Sequence, residues 1–288
     1  MTEVAVTTRG GWERDLERIH LDSDYIHPDG WQTLSDKKFL VAKRDFVFQS
    51  GTWKGAPVDS LVTRIRRTDG RSVLLTHSDK HTAAHHSRLL RLCGARHIYG
   101  TNVDPVPRLA GPVPLGLCSP LQGSPMHDLL SNRDLLLQAF NVAERPHNLS
   151  PDYYVSISAS THSSRQRFLS DVRKISGIVV QDPEHTPKGR LNYLACLREF
   201  PFVLAPRGNG VDTHRLWETL YMGGIPVVRF HRSILPLISN LPVVVVKYWS
   251  QLSDSHHIYD ELNRIRQQRR QADALRMSAW IRKLETLT

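Results

Sequence analysis

The chain is poor in cysteine. Its 288 residues hold three, Cys93, Cys118 and Cys196, widely separated and odd in number. That excludes a disulfide framework or a zinc knuckle as the organising device and points to a reducing compartment. No apolar run has the length a membrane-spanning helix requires. The opening stretch MTEVAVTTRGGWERDLERIH has no apolar core of the signal-peptide kind. The expectation is therefore a soluble, cytoplasmic protein. Solenoid repeats and low-complexity tracts are also lacking. There is no recognition helix and no aromatic ribonucleoprotein motif, so nucleic acid is not the expected partner.

What is present is ordinary globular sequence, 40% hydrophobic and 23% charged, long enough for two compact domains. The formal net charge of +10 favours an anionic partner. Basic residues are scattered except in the tail around Arg264 to Arg270, which suits a solvated helix face or a peripheral membrane contact.

Short apolar runs alternate with helical patterns along the chain. KKFLVA, DFVFQSG, SVLLTHSD and ARHIYGTNVD read as strands, and HTAAHHSRLLRLCG (81–94) as a helix with Leu89 and Leu92 among its apolar positions, closed by Gly94. MHDLLSNRDLLLQAFNVAE (126–144) has one helical period, and RPHNLSPD (145–152) the composition of a linker. The alternation then restarts: YYVSIS, GIVVQD, PFVLAP, GIPVVRF and LPVVVVKYW as strands, with helices over 162–175, 187–200 and the segment after Asp212. The last thirty-odd residues read as helical, with Ile265, Leu275, Trp280, Ile281 and Leu284 available for packing. The predicted fold class is α/β: two Rossmann-like domains, residues 1–148 and 149–288, facing a central cleft, where ligands of such sheets bind.

FVLAPRGNGVDTHRLWETLYMGGIPVV (202–228) carries the densest chemistry. Arg207 follows a strand. Gly208 and Gly210, around Asn209, permit close approach of the main chain to a ligand. Asp212 is placed to cap the next helix, whose start attracts phosphate. Arg207 and Arg215 offer forked donors to phosphate oxygens. His214, Arg215 and Glu218 share neighbouring helix surface. Together they suit a nucleotide-diphosphate cradle, with Glu218 accepting from ribose hydroxyls. The same residues read equally as a turn, a cap and a helix-surface ion pair.

This segment closely resembles the donor-binding motif of exostosin-like glycosyltransferases: Phe–aliphatic–x–Pro–x–Gly–x–Gly, then Arg–x–x–Glu–x–Leu, then Gly–x–Ile–Pro–Val. LNYLACLREFPFVLAP and LPVVVVKYWSQL also fit, while LLTHSD and IYGTNVDPVPRLAGPVPLGL are more faintly similar. The resemblance spans roughly residues 190–250 and, weakly, 72–118; nothing familiar covers 1–35 or 255–288. It implies a GT-B architecture and an inverting, metal-independent transfer from a nucleotide-diphosphate sugar, with no cofactor, to a glycan, lipid-linked or protein acceptor. By position Arg215 would contact the diphosphate and Glu218 the ribose. The chain is shorter than exostosin-type domains and lacks their luminal anchor, so the acceptor class does not carry over.

Further candidates lie outside the motif. Arg165 and Arg167 open the helix at 162–175; Arg165 could reach the diphosphate, although such arginines are more often solvated. The transfer needs a general base within reach of the acceptor hydroxyl. His77 and Asp79 at the end of a first-half strand are candidates, as is Asp104, against a reading as polar loop and cap. His77, His81 and His85 could share a helix face for zinc only if the helix began before Asp79. Asp22–Ser23–Asp24, similar to a metal motif of the other large glycosyltransferase fold, reads as a turn. Two other readings remain: a polysaccharide-modifying pyruvyl- or phospho-sugar transferase, and a non-catalytic anion- or nucleic-acid-binding protein.

Overall fold

The structure, a computed structural model, describes residues 24–34, 39–43, 48–49, 52–53, 71–76, 81–121, 123–144, 152–267 and 272–287. Two parallel sheets lie on either side of 145–151. The first has the order β1 (Phe39–Lys43), β4 (Ser72–Thr76), β5 (Ile98–Gly100), β6 (Ala110–Pro112). β2 (Phe48–Gln49) and β3 (Thr52–Trp53) form a separate antiparallel pair. Ser72 to Thr76 are all buried, as a parallel strand covered on both faces should be. Val73 and Leu75 join Leu90, Ala95, Ile98 and Val103 in a small cluster, whereas Phe39, Val41 and Leu74 face the main core. α1 (Ala84–Leu92) starts later than the sequence pattern suggests. Leu92 is 83% exposed and Leu90 takes the inward position. Gly94 closes the helix at φ 107, a conformation glycine adopts without steric cost.

The second sheet has the order β11-β10-β9-β7-β8, all parallel: β7 (Tyr153–Ser156), β8 (Ile178–Gln181), β9 (Phe202–Leu204), β10 (Ile225–Arg229) and β11 (Val244–Val246). β7, first in the chain, sits between β8 and β9. The chain therefore winds outward in both directions from β7, which leaves a crevice at the carboxyl ends of β7 and β9.

The expected single helix over 126–144 is two, α2 (Pro125–Leu130) and α3 (Arg133–Val142). Asn132 breaks the run because its side chain accepts from Leu135 N at 3.2 Å and caps the second helix. Before β9 comes α5 (Pro187–Glu199), against which α3 packs: Arg198 lies 3.9 Å from the Phe140 ring centroid and donates to Ala143 O. The crossover after β7 is α4 (Ser164–Val172), and after β9 it is α6 (His214–Tyr221). α7 (Leu235–Ile238), α8 (Ser255–Gln267) and α9 (Met277–Thr286) complete the half. Ile265, Leu275, Trp280 and Leu284 are buried as expected.

Residues 24–34 pack against this second half. Ile26 N donates to the Tyr221 hydroxyl, which donates to Leu275 O, and Asp24 accepts from Ser278 N at 2.7 Å. Of the Asp22–Asp24 motif only Asp24 is described, and it is a structural acceptor. Gly116, at φ +72, lies so close that a Cβ there would fall 2.1 Å from Ile26 O. Among the described residues no helix is long and apolar enough to cross a membrane.

Candidate functional site

A cavity of about 300 Å³ opens at the crevice beside β7 and β9. Its floor is Ser156 at the end of β7. Its walls are Arg165, Gly208 to Gly210, Thr213 to Arg215, Glu218, and Arg190 and Tyr193 of α5. Every donor-motif residue predicted above except Arg207 lines it, and Arg207 lies next to Gly208 in the same turn.

Arg165 is buried rather than solvated, at 7% exposure. Its Nε donates to Arg207 O at 2.9 Å and its Nη1 to Ser158 O at 3.1 Å. It thereby spans the crevice, tying the turn after β9 to the loop after β7. A Cβ at Gly208 would meet Arg165 Nη2 at 3.2 Å, so that guanidinium would have to give by a few tenths of an ångström. Arg167 is exposed.

Asp212 does not cap α6, in correction of the expectation. The N-cap is Thr213, with no side-chain capping bond. The Asp212 carboxylate instead accepts from Trp217 Nε1 and from Leu115 N, each at 2.7 Å. Its backbone exchanges two bonds with the Asn102 side chain, at 2.7 and 3.0 Å. Asn102 and Leu115 belong to the first half, so Asp212 joins the halves at the cavity. Burial pushes its carboxyl up to about 7, against the pull of its Leu115, Trp217 and Thr213 donors. The Asp212 carboxylate also accepts from Thr213 N, and Thr213, His214 and Arg215 at the start of α6 line the cavity.

Glu218 also differs from expectation. It is 4% exposed and makes no surface pair with Arg215. Arg190 Nη2 donates to Oε1 at 2.6 Å and the Tyr193 hydroxyl to Oε2 at 2.8 Å. Burial would raise the carboxyl, but Arg190 outweighs it and holds Glu218 below the usual range. Arg190, likewise desolvated, is held above its ordinary value by Glu218. Each carboxylate oxygen retains lone-pair capacity, and the group borders the cavity. Tyr193 stays protonated, its hydroxyl pushed well up by burial first and Glu218 second. Arg190 and Tyr193 were not singled out from sequence. The available signal is that Arg190 shares a helix face with Leu194 and Leu197, both fully buried, so its charge falls on an apolar stripe.

Arg215 donates to Ser156 O and lies 5.8 Å from the Tyr193 ring centroid. Its Nε, the Nε of Arg190 and the Thr213 hydroxyl are buried without a hydrogen-bond partner. All three residues line the cavity. Such orphaned groups are uncommon inside proteins, and here their residues share one cavity wall. His214 Nδ1 donates to Gly116 O at 2.8 Å, making a further contact between halves. Cys118 also lines the cavity; burial first and the Glu218 charge second push its thiol up to about 12, so it is no nucleophile.

His77 and Asp79 lie outside the described residues. Asp104 is buried and engaged: His81 Nε2 sits 2.8 Å from Oδ1, and Arg232 donates to Oδ2. Burial alone would raise its carboxyl, but the Arg232 and His81 bonds hold it below the usual range. α1 starts at Ala84, so His81 lies off the helix and the helical zinc face over His77, His81 and His85 is not formed. In the basic tail, Arg264 pairs with Glu261 and donates to Val243 O. Residues 268–270 are outside the described set. The three cysteines are unpaired thiols.

Compared with known protein families, the chain matches no family model. Compared with curated proteins, it matches none.

Proposed function

We propose that the cavity seats the diphosphate of a nucleotide sugar, and that the protein is an inverting glycosyltransferase of GT-B type. The carrying observation is that Arg190, Arg215 and Thr213, each with a buried donor that has no hydrogen-bond partner, all line one cavity at the start of α6. The Arg215 guanidinium, the Thr213 hydroxyl and the start of α6 suit a pyrophosphate, with Arg190, paired to Glu218, in the same wall. The place supports the reading, because β7 and β9 flank a point where strand order reverses. The motif resemblance over residues 190–250 supports it independently.

In the transfer, an acceptor hydroxyl attacks the anomeric carbon and forms the new C–O bond. The bond from that carbon to the diphosphate breaks, and its electron pair leaves with the diphosphate. Arg215 and the start of α6 meet the developing charge. Glu218, oriented by Arg190 and Tyr193, accepts from the ribose hydroxyls through its unused lone pairs. A general base takes the acceptor proton; the candidates His77 and Asp79 lie outside the described residues. Asp182 and Glu184 at the cavity mouth add acceptors for hydroxyls and disfavour a continuous polyanion, which argues against nucleic acid.

Calorimetry with nucleoside diphosphates and their sugars tests this. The expected result is one-site binding by at least one nucleoside diphosphate, weakened ten-fold or more in Arg215→Ala. No binding across the common bases, or undiminished binding by a folded Arg215→Ala, would overturn it. Turnover of phosphoenolpyruvate without a nucleotide requirement would favour the pyruvyl-transfer reading instead.

A further inference from the structure

Outside the cavity, a second cluster joins the two halves. His81 precedes α1. Asp104 follows β5 on a segment fixed to it by backbone bonds, Thr82 N to Asn102 O at 2.8 Å and Asp104 N to Thr82 O at 2.9 Å. From the other half, His231 follows β10. One ligand atom of each of the three lies within 4.8 Å of the others. None of the three residues lines the cavity described above.

We propose that His81, Asp104 and His231 form a three-ligand site for one divalent transition ion of the Zn²⁺ and Co²⁺ class, linking the two halves. Two imidazoles and a carboxylate suit such ions, and three protein ligands leave a position for water. The atoms need only small moves. Ligand bonds of roughly 2.0–2.2 Å in a tetrahedron set donors roughly 3.3 Å apart. His81 Nε2 and Asp104 Oδ1, now 2.8 Å apart, would open slightly as the ion replaces the shared proton. His231 would close by a side-chain rotation. Its ring stands edge-on to that of His81, with centroids 5.4 Å apart. Outer partners are already in place, as metal sites require. Ser233 N donates to His231 Nδ1 at 3.3 Å and the Ser233 hydroxyl lies 2.7 Å from the same nitrogen, so ligation through Nε2 moves the ring proton to Nδ1, where the hydroxyl can accept it. Arg232 occupies Asp104 Oδ2 and leaves Oδ1 for the ion. The Asp104 side chain is 3% exposed and that of His81 25%, so the ligands are sheltered with one open approach.

The untagged protein, stripped with a chelator, is titrated with Zn²⁺ by calorimetry and with Co²⁺ by visible absorption. The expected result is a single site, with intense Co²⁺ ligand-field bands of four- or five-coordination. Affinity should fall ten-fold or more in His81→Gln and in His231→Gln and be unchanged in His256→Ala, a substitution on exposed helix surface. The Co²⁺ spectrum needs only the wild-type protein, so misfolding of a variant leaves the test intact. Weak bands of six-coordinate aquo type, or a single site undiminished in folded His81→Gln and His231→Gln, would overturn the proposal. Nucleotide binding enters none of these measurements, so this site and the cavity reading stand or fall separately.

Discussion

The two parallel sheets are built from similar apolar strands, yet they treat charge differently. In the first, β1, β4, β5 and β6 follow one another in order across the sheet, and of its acidic and basic groups Asp104 is the one buried among the described residues. In the second the order turns about β7, and Arg165, Arg190, Asp212 and Glu218 are all buried within or beside the crevice. Burying charge is costly unless it is paired and hydrogen-bonded. A fold that concentrates this cost at its reversal point, and leaves some donors there unsatisfied, has the character of a ligand seat rather than of a scaffold.

The sharpest way to break this comparison is to remove one member of the buried pair. Arg190→Met leaves Glu218 charged, buried and held by Tyr193 alone, so it should cost about 3–5 kcal/mol. The double variant Arg190→Met with Glu218→Leu should regain most of that loss, since a matched apolar pair carries no desolvation penalty. Denaturant unfolding of the four proteins gives the cycle. If Arg190→Met were as stable as wild type, the second sheet would hold no charge dependent on its partner. Glu218→Ala is a poor probe of nucleotide binding for the same reason, because it strands Arg190; Glu218→Gln is the better one.

Asp212 gives the next largest effect. Its carboxyl is raised to about 7 in the folded state by burial, against about 3.9 for an unperturbed aspartate. The folded form thus binds the proton more tightly than the unfolded chain. Stability from this group is complete below pH 4 and is lost as pH rises through 7, at up to about 1.4 kcal/mol per pH unit. Glu218, held low, acts oppositely: its contribution is present at neutral pH and lost only in acid. Unfolding free energies from pH 4.5 to 7.5 should fall less steeply for Asp212→Asn than for wild type. Parallel slopes would mean that the Asn102–Asp212 junction carries no titrating charge.

Much of this was legible in the sequence because it rests on local pattern. Short apolar runs placed most strands, though not β3 or β6, and α5 follows its predicted span within a residue. Gly208, Gly210, Arg215 and Glu218 were singled out by their spacing between two apolar strands together with the motif resemblance, since spacing alone read equally as a turn and a helix-surface pair. What was not legible depends on pairing across distance. The Asp212 cap failed because Trp217 and Leu115, the latter 97 residues away, hold its carboxylate more strongly than helix N–H groups do. The Arg190–Glu218 pair joins two helices 28 residues apart. The placement of His81 beside His231 required knowing how the halves meet.

A smaller effect should come from Gly189, where α5 starts beneath the cavity-lining loop 182–185. A Cβ there would fall 2.5 Å from the Glu184 side chain and 2.6 Å from its carbonyl oxygen. Because backbone must shift, Gly189→Ala should cost about 1–3 kcal/mol, in the range of ordinary overpacking. It should also weaken nucleoside diphosphate binding several-fold while leaving Zn²⁺ binding at His81 and His231 unchanged. Equal loss at both places would mean that the crevice and the junction are one coupled unit rather than two.

The smallest effect is expected in the first half, on the outer face of α1. Leu92 is 83% exposed and its neighbour Leu90 is buried beside Val73 and Ile98. Leu92→Lys should therefore change stability by no more than about 0.5 kcal/mol, as surface substitutions do, whereas Leu90→Ala should cost about 2–5 kcal/mol through the cavity it opens. Thermal unfolding of the two variants decides the matter. A large loss in Leu92→Lys would show that something covers this face, and the first sheet would then have a second apolar layer that its small cluster does not reveal.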